Sequence, residues 1–398
     1  MSRRILFVIG NLQTGGAERH LSLLLPELKR RGWSPELYLY TEGRAFAPVL
    51  EAVGLPIIDG SGWAKPFHVL PSPFRGLMVR LMLILRLAAQ LIGRRYDLLH
   101  GFLPQPCVFL GLAALLAWPF RRPPLLMSRR GMSDYKTDTP LEWRLECALM
   151  ARWADVVLGN SRSICGQLAE EAVPQTKLAV IPNGVDAKAL KDHDRIALRQ
   201  AEAVAEDAFV MIVAASLYPW KGHALLFQAL RRIADRLPEN WLLLCAGGGS
   251  GAFAEQMQAE AQTFGDHVRM LGSRPDIHRL NAMSDLGILC SINEGMSNSL
   301  LEGMAAGLPF VATKVSGNAE VALEGQTALL VPADDPEALG QAILALAADP
   351  AKRREMGDAA RRHIVAHYGF DLCASRYESL YLSLLAGSGI PEDLHPCA

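Results

Sequence analysis

Two glutamates, Glu294 and Glu302, lie eight positions apart in the stretch SINEGMSNSLLEGMAAGLPFV, which joins an apolar strand to an apolar helix. Three roles fit such a pair: an acid/base couple, a helix cap beside an uninvolved neighbour, or two carboxylates that hold a substrate. Ser299 and Glu302 match the spacing of a capping box, which gives Glu302 a purely structural role. That role leaves Glu294 unexplained, and a carboxylate on a strand-end loop beside Gly295 favours a ligand contact.

The backbone between the two glutamates indicates the chemistry of that ligand. The N–H groups of residues 297–300 stand at the start of a helix, where they attract anions. A carboxylate accepts hydrogen bonds from hydroxyl groups. An anion seat flanked by two carboxylates therefore suits a polyol joined to a diphosphate.

Cationic side chains follow two other predicted strands. In AASLYPWKGHALLFQAL, Lys221 and Gly222 stand between a strand and a helix, where a lysine can neutralise a diphosphate. In LMSRRGMSDY, Arg129 and Arg130 follow a strand and can grip a phosphate or carboxylate with forked hydrogen bonds. A solvated surface charge is the alternative for each of them. His100, near the end of the strand in DLLHGF, has either a structural role or a ligand contact.

The turn after the first strand, GNLQTGGAERHLSLLL, allows the backbone to approach a ligand closely. Gly15 and Gly16 stand at the entrance of an amphipathic helix whose N-terminus attracts anions. Glu18 suits the dipole of the same helix, and a plain loop is the alternative. No glycine-rich fingerprint with a downstream acidic residue follows this strand, which argues against a dinucleotide-dependent oxidoreductase.

Composition and charge narrow the class of protein. The chain has 398 residues and a net charge of −1, and the total charge predicts no nucleic-acid partner. Residues 1–186 hold 22 Lys and Arg against 15 Asp and Glu, a net of +7, and the remainder holds 18 against 26, a net of −8. Seven scattered cysteines without a CxxC spacing fit a reducing compartment. MSRRILFVIGN indicates a strand rather than a signal peptide, and the apolar run 106–120 is too short to span a bilayer, so we expect a cytoplasmic protein.

Apolar strands alternate with helical patterns along the whole chain, which predicts βαβ units and parallel sheets. The rhythm restarts after residues 183–194, so two doubly wound domains are expected, with ligands beyond the carboxyl ends of the strands and in the cleft between the domains. Helices are predicted at 16–32, 108–118, 336–348 and 371–385, and the last ten residues look loose. The predicted strands are RILFVIG, ELYLY, DLLHGF, PLLMS, DVVLGNS, LAVIPNG, FVMIVAAS, WLLLCAG, VRMLG, LGILCS, PFVAT and ALLVP.

The order of these motifs resembles the retaining, two-domain GT-B glycosyltransferases of the family-4 type, which include bacterial mannosyltransferases and lipopolysaccharide and capsule glycosyltransferases. The similarity covers most of the chain, in the order GGAER, DLLH, ADVVLGNS, VIPNGVD, WKGH, EGMSNSLLEGMAAGLPFVAT and LLVPADDPEAL. It implies an α/β fold of two Rossmann-like domains. Residues 1–186, with a C-terminal helix at about 372–390, would bind the acceptor, and residues 187–371 would bind the nucleotide-sugar donor.

The resemblance also implies roles for single residues. Glu294 would contact hydroxyls of the donor sugar, Glu302 the ribose hydroxyls, and Lys221 the diphosphate, while backbone near Arg274 would meet the base. The implied donor-binding set is Gly16, Ser216, Lys221, Arg274, Glu294, Gly295, Met296, Ser297, Asn298, Ser299, Leu300 and Glu302. The acceptor-binding set is Gly15, Glu18, His100, Arg129 and Arg130, and the catalytic candidates are Glu294, Lys221 and Arg130.

Enzymes of this type need no metal or cofactor, because cationic side chains and helix ends stabilise the leaving diphosphate. The resemblance implies retention of the anomeric configuration by front-side attack, without the carboxylate nucleophile of retaining hydrolases. Two positions depart from the family pattern. Ser216 stands where the family often has an arginine, and Arg130 where many members have a histidine. Arg129 or Arg130 would then replace lost positive charge or contact an anionic acceptor.

Residues 60–96 contain six Lys and Arg and no Asp or Glu. On a helix, Arg75, Arg80, Arg86, Gln90 and Arg94 fall within about 140° of one another. The pattern fits a surface helix over the first sheet or a basic amphipathic helix on an anionic bilayer. With the positive charge of the first half, it favours peripheral membrane contact through residues 74–95 and a lipid-linked acceptor.

The sequence therefore predicts a hexosyltransferase that uses a nucleotide sugar, with UDP expected because the resembled family uses it most often. Its acceptor would be lipid-linked or a saccharide, in cell-envelope or exopolysaccharide assembly at the inner face of the cytoplasmic membrane. A nucleotide-sugar epimerase would need an acid/base set that the sequence does not show. A non-catalytic nucleotide-sugar-binding subunit or sensor is the other alternative, which Ser216 keeps open.

Overall fold

The computed structural model describes residues 3–13, 15–62, 72–132, 136–186 and 194–396. Within the chain, two compact units are distinguished, one formed by Met1–Pro182 with Cys373–Ala398 and the other by Asn183–Leu372. Each unit holds one parallel sheet with helices packed on it.

The first unit has a seven-stranded parallel sheet in the order β3-β2-β1-β4-β5-β6-β7. Its strands are β1 (Arg3–Ile9), β2 (Trp33–Leu39), β3 (Ile57–Asp59), β4 (Leu98–Phe102), β5 (Leu125–Arg129), β6 (Val156–Gly159) and β7 (Leu178–Val180). Its helices are α1 (Gly16–Arg30), α2 (Ala47–Ala52), α3 (Ser72–Gly93), α4 (Pro104–Ala117), α5 (Pro140–Arg152) and α6 (Arg162–Glu170).

The second unit has a six-stranded parallel sheet in the order β10-β9-β8-β11-β12-β13. Its strands are β8 (Phe209–Ala214), β9 (Trp241–Ala246), β10 (Val268–Gly272), β11 (Leu286–Leu289), β12 (Phe310–Thr313) and β13 (Ala328–Val331). Its helices are α7 (Arg195–Ala201), α8 (His223–Ile233), α9 (Ala252–Gln262), α10 (Ile277–Met283), α11 (Asn298–Ala305), α12 (Ser316–Val321), α13 (Pro336–Ala348) and α14 (Pro350–His367). The last helix, α15 (Phe370–Leu385), carries the chain back into the first unit.

The strands are continuous apolar runs because helices cover both faces of each sheet. In β1, the five side chains from Ile5 to Ile9 are all fully buried. Such burial contributes about 1.5–3 kcal/mol for each large aliphatic side chain. The predicted fold class, two doubly wound Rossmann-like domains, is confirmed, and each predicted strand is present.

The strand order reverses direction beside β1 in the first sheet and beside β8 in the second. In open parallel sheets, ligands bind at such switch points, beyond the carboxyl ends of the strands. In the second unit the two loops concerned are residues 215–222 after β8 and residues 290–297 after β11. Lys221 lies on the first of these loops and Glu294 on the second.

Two sequence expectations about apolar segments have different outcomes. The run 106–120 forms most of the buried helix α4, as expected. The last ten residues were expected to be loose, but a short turn at Glu392–Leu394 buries Leu394, which is 1% exposed.

Among the described residues, one helix, Arg75–Gly93, is long and apolar enough to cross a membrane by length and composition, and 22% of that window is buried.

Helix α3 shares its basic side between the first unit and solvent, because the side chains of Arg80 and Arg94 are 56% and 51% exposed. Gln90 is buried and donates to the hydroxyl of Tyr96 at 2.8 Å. Arg94 pairs with Glu36 at 3.1 Å, and Arg80 lies 3.7 Å from Glu142. A separate solvent-facing stripe of the helix is apolar, and its members are Leu77, Leu81, Leu85 and Ile92.

Candidate active site

Lys221 and Glu294 form an ion pair at the switch point of the second unit. The Lys221 Nζ donates to Glu294 Oε1 at 2.6 Å, and Ser291 Oγ donates to the same oxygen at 2.8 Å. The side chains are 23% and 11% exposed, so both are reachable but largely desolvated. The structure therefore brings together the two side chains that the sequence assigned to diphosphate and sugar. When a ligand binds, Lys221 can release Glu294 and pair with a phosphate instead. Glu294 can then accept a hydrogen bond from a hydroxyl of the same ligand.

The helix that follows this loop begins two residues earlier than the predicted capping box requires. Ser297 is the N-cap of α11, and its Oγ accepts the N–H of Leu300 at 3.4 Å. Ser299 is inside the first turn and shares a hydrogen bond of 2.9 Å with Ser297 Oγ. The predicted Ser299–Glu302 capping box is therefore wrong. Glu302 lies in the body of α11, partly buried, where it does not take the capping position.

The segment after β12 supports the Glu294 loop, and sequence reasoning missed it. Ser316 Oγ donates to the Glu294 carbonyl at 2.9 Å, and the Gly317 N–H approaches the same oxygen at 3.3 Å. A Cβ on Gly317 would lie 2.0 Å from the Gly295 carbonyl oxygen, so only glycine fits there. A serine-glycine pair directly after a strand was the available signal.

Asn183 holds the other side of the same loop. Its side-chain amide donates to Asn298 Oδ1 at 2.7 Å and to the Met296 carbonyl at 3.4 Å. Its backbone N–H points at the Met296 sulfur at 3.3 Å. The sequence indicated only a turn at this position. The structure shows a residue that orders residues 296–298, the predicted seat of the diphosphate.

Ser216 and Arg274 have different environments on the second unit. Ser216 is exposed, and its carbonyl accepts the N–H of Tyr218 at 2.9 Å. The Arg274 guanidinium is held by Asp276 and Glu202 at 2.8 and 2.7 Å, and these bonds raise its pKa. In turn, Arg274 lowers the pKa of Asp276 to about 2. The Arg274 side chain thus orders its own loop, and the predicted contact of this backbone with a base stays a prediction.

Arg129 does not face a ligand in the first unit. Its side chain is fully buried at the end of β5, bonded to Glu171 and, at 3.3 Å, to Glu146, which is also fully buried. The prediction that Arg129 contacts an acceptor is wrong, because both of these carboxylates neutralise it inside the unit. The next residue, Arg130, has a different environment.

Arg130 is only partly buried and lies beyond the end of β5. Its Nη1 donates to the hydroxyl of Tyr377 at 2.9 Å, and its guanidinium lies 5.5 Å from the ring centroid of Phe102. Tyr377 comes from α15, so the C-terminal helix completes this part of the first unit. Burial, with Arg130 as a smaller cause, holds the pKa of the nearby His20 well below its ordinary value.

His100 has a structural environment. Its ring is fully buried, with Nδ1 2.8 Å from the hydroxyl of Tyr381 and Nε2 2.6 Å from Ser128 Oγ. Burial keeps the pKa of His100 well below its ordinary value, so the ring is neutral. Both ring nitrogens already have partners, and the predicted acceptor contact of His100 is wrong.

Glu18 folds back over the start of α1. A Cβ on Gly15 would lie 2.1 Å from Glu18 Oε2, which shows how closely the carboxyl group covers that glycine. Burial raises the pKa of Glu18, and a hydrogen bond from its own backbone N–H opposes that rise. Gly16 is the first residue of the helix. The carboxyl group therefore occupies the helix start at which Gly16 was expected to meet a diphosphate.

Both halves of the chain match glycosyltransferase family models. Residues 14–189 match the model described as Glycosyltransferase Family 4, and residues 194–363 match the one described as Glycosyl transferases group 1. The two matches together cover most of the chain, which therefore belongs to the glycosyltransferases of the family-4 type and has the GT-B fold.

Individual relatives agree with this assignment. N-acetyl-alpha-D-glucosaminyl L-malate synthase of Bacillus anthracis is 27% identical over 233 residues, which are 58% of this chain and 60% of the relative. Phosphatidyl-myo-inositol mannosyltransferase of Mycobacterium leprae is 26% identical over 383 residues, 92% of either chain. Among solved structures, HepE of Anabaena in complex with UDP and glucose is similar to this chain, with a TM-score of 0.83 and 23% identity. The superposition covers 96% of this chain and 100% of HepE.

Proposed function

We propose that the protein transfers a hexose from a UDP-sugar to a hydroxyl of an acceptor, with retention of the anomeric configuration. The observation that carries this proposal is the Lys221–Glu294 pair at the switch point of the second unit, next to the start of α11. Lys221 and the N–H groups at that helix start would bind the diphosphate. Glu294 would accept hydrogen bonds from the sugar hydroxyls, and Glu302 from the ribose hydroxyls. The relative HepE, solved with UDP and glucose, supports UDP as the nucleotide.

In this reaction the bond between the anomeric carbon and the diphosphate oxygen breaks, and its electron pair leaves with the diphosphate. The acceptor oxygen bonds to the same face of the carbon, and its proton passes to the departing oxygen. Lys221 lowers the barrier by neutralising charge that grows on the diphosphate. Neither Glu294 nor Glu302 has to act as a nucleophile, and the reaction needs no metal.

Nucleotide binding is the first test of this function. We expect UDP and at least one UDP-sugar to raise the Tm of the protein, because a ligand at 100 times its Kd adds about 2.7 kcal/mol to stability. GDP and ADP serve as controls for the base. Release of UDP from the same UDP-sugar distinguishes an enzyme from a non-catalytic nucleotide-sugar-binding subunit. Stabilisation without any release or transfer would favour the subunit, and no stabilisation by any nucleotide would refute both.

We further propose that the first unit contacts an anionic membrane and that the acceptor is lipid-linked, in cell-envelope or polysaccharide assembly. Support comes from the apolar stripe of α3, where Leu77 is 68% exposed and Leu81 and Leu85 are 43% and 42% exposed. Arg80 on α3 and Arg94 directly after it are half-exposed and can reach phosphate groups. The proposed location is the cytoplasmic face of the inner membrane.

A membrane contact of this kind predicts that apolar insertion, more than charge, holds the protein to vesicles. Leu81→Asp should weaken co-sedimentation with anionic vesicles about tenfold, because burial of a half-exposed leucine is lost and a charge is introduced. Val365→Asp is the matched control, since Val365 is 52% exposed on the second unit. Absence of wild-type binding to anionic vesicles at low salt would contradict the proposal.

A further inference from the structure

Two exposed aromatic side chains shortly precede Lys221 on the loop after β8. Tyr218 is 47% exposed and Trp220 44% exposed, and their rings are parallel within 2°, with centroids 4.6 Å apart. Of the Phe, Tyr and Trp residues described in the second unit, these are the two that are exposed. Ile292, 54% exposed, donates its backbone N–H to the Trp220 carbonyl at 2.9 Å. We call Tyr218, Trp220 and Ile292 the aromatic ledge.

The backbone fixes the aromatic ledge against the polar pair. The Lys221 N–H donates to the Tyr218 carbonyl at 3.0 Å, which closes the turn that carries both rings. Gly222 follows with a φ of +75°, and a Cβ there would lie 1.8 Å from the Cys290 carbonyl oxygen. Trp220 precedes Lys221 in the chain, and Ile292 lies two residues before Glu294. The backbone that carries the rings is therefore tied to the loops that hold Lys221 and Glu294.

The phosphates and hydroxyls of the donor need no apolar surface at this place, and the base of the donor is assigned to the backbone near Arg274. Phosphates, sugar hydroxyls and ribose hydroxyls all seek polar partners, which Lys221, Glu294 and the start of α11 supply. The remaining reactant near the transferred sugar is the acceptor. An acceptor that covers parallel aromatic rings must have a flat, apolar face.

A pyranose ring has this property, because its C–H groups gather on one face. The face of an aromatic ring carries negative charge density and attracts such polarised C–H groups. Mutual stacking of Tyr218 and Trp220 also restricts both side chains before a ligand arrives, which lowers the entropy lost on binding. We propose that the aromatic ledge binds a sugar ring of the acceptor, so that the group receiving the hexose belongs to a saccharide. This inference rests on the proposed transferase function.

The test is fluorine NMR of the full-length protein labelled with 5-fluorotryptophan, with the Trp220 signal assigned by its loss in Trp220→Phe. The probes are the methyl α-glycosides of glucose, mannose and galactose. At least one of them should shift the Trp220 signal, with a Kd on the order of 1 mM. Tyr218→Ala should weaken this binding about three- to tenfold, because one ring of the stack is lost. UDP affinity should stay within about twofold of wild type in both Tyr218→Ala and Trp220→Ala, a difference of under about 0.5 kcal/mol.

Three results would overturn the inference. The first is a Trp220 signal that no methyl glycoside shifts. The second is a large loss of UDP affinity in Trp220→Ala, which would assign the ledge to the base of the donor. The third is a loss of vesicle binding in Trp220→Ala, which would assign it to lipid. Val365→Ala, at a similarly exposed apolar position of the same unit, is the control for folding and for non-specific apolar binding. UDP binding and UDP-sugar hydrolysis by the wild type report on the transferase function separately.

Discussion

Glu294→Gln is expected to lower the rate of sugar transfer about 100- to 1,000-fold, while the Kd for UDP changes little. Glutamine keeps the size of the side chain and can still accept the hydrogen bond from Ser291. It removes the negative charge that strengthens hydrogen bonds from sugar hydroxyls, and it leaves Lys221 without its carboxylate partner. The measurement is UDP release from saturating UDP-sugar, together with calorimetric titration of UDP.

The contrast with Glu302 sharpens this prediction. Glu302 lies in the body of α11 and is proposed to hold the ribose. Glu302→Gln should therefore weaken UDP binding about tenfold and affect the rate at saturation much less. Glu239→Gln, at an exposed position of the same unit, is the matched control. If both Glu294→Gln and Glu302→Gln keep wild-type kinetics, this stretch is only a well-capped helix.

The sheets were predictable because their strands are buried on both faces, which demands continuous apolar runs of four to seven residues. RILFVIG and WLLLCAG became β1 and β9 for that reason. Short β3 escaped detection, since its three residues end in a polar aspartate. The N-cap of α11 was misplaced by two residues because SNS offers two serines, and only the backbone geometry decides which of them lies outside the helix.

The candidate site was predictable where the sheet topology places residues at strand ends, and not where partners on other elements decide the role of a side chain. Lys221 and Glu294 stand at strand ends, and the parallel topology brings such ends together. Arg129 and Arg130 look alike in the sequence, yet they differ because Glu146, Glu171 and Tyr377 come from other elements. No local pattern could have supplied those partners.

The periodicity of α3 was also correct, but the sequence did not show that its half-exposed arginines have acidic partners on the first unit. The arginine side of the helix could face water or acidic partners, and the period of the sequence cannot distinguish these. In the structure, Arg94 pairs with Glu36 on β2, and Arg80 lies beside Glu142 on α5. The leucines left on the outer side then create an apolar surface that a basic stripe would not have offered. The proposed membrane contact through this helix therefore draws on an apolar face that the sequence analysis did not single out.

The buried cluster of Arg129, Glu146 and Glu171 should dominate the stability of the first unit. Arg129→Met leaves two carboxylates without their cation, one of them fully buried, and is expected to cost about 3–5 kcal/mol. For a domain of this size the Tm should fall by roughly 10 °C. The measurement is thermal unfolding followed by circular dichroism, with UDP absent. Arg122→Met, at a side chain 57% exposed near the start of the same strand, should change stability by less than about 0.5 kcal/mol.

A triple variant separates the loss of a partner from the loss of the ion cluster. Arg129→Met combined with Glu146→Leu and Glu171→Met fills the same space with apolar groups and leaves no buried charge unpaired. Replacements of this kind are often neutral, so we expect most of the lost stability to return. Recovery would show that desolvated carboxylates cause the damage in Arg129→Met. If Arg129→Met instead kept wild-type stability and raised only the KM for the acceptor, Arg129 would be a binding residue and the assignment of a structural role would be wrong.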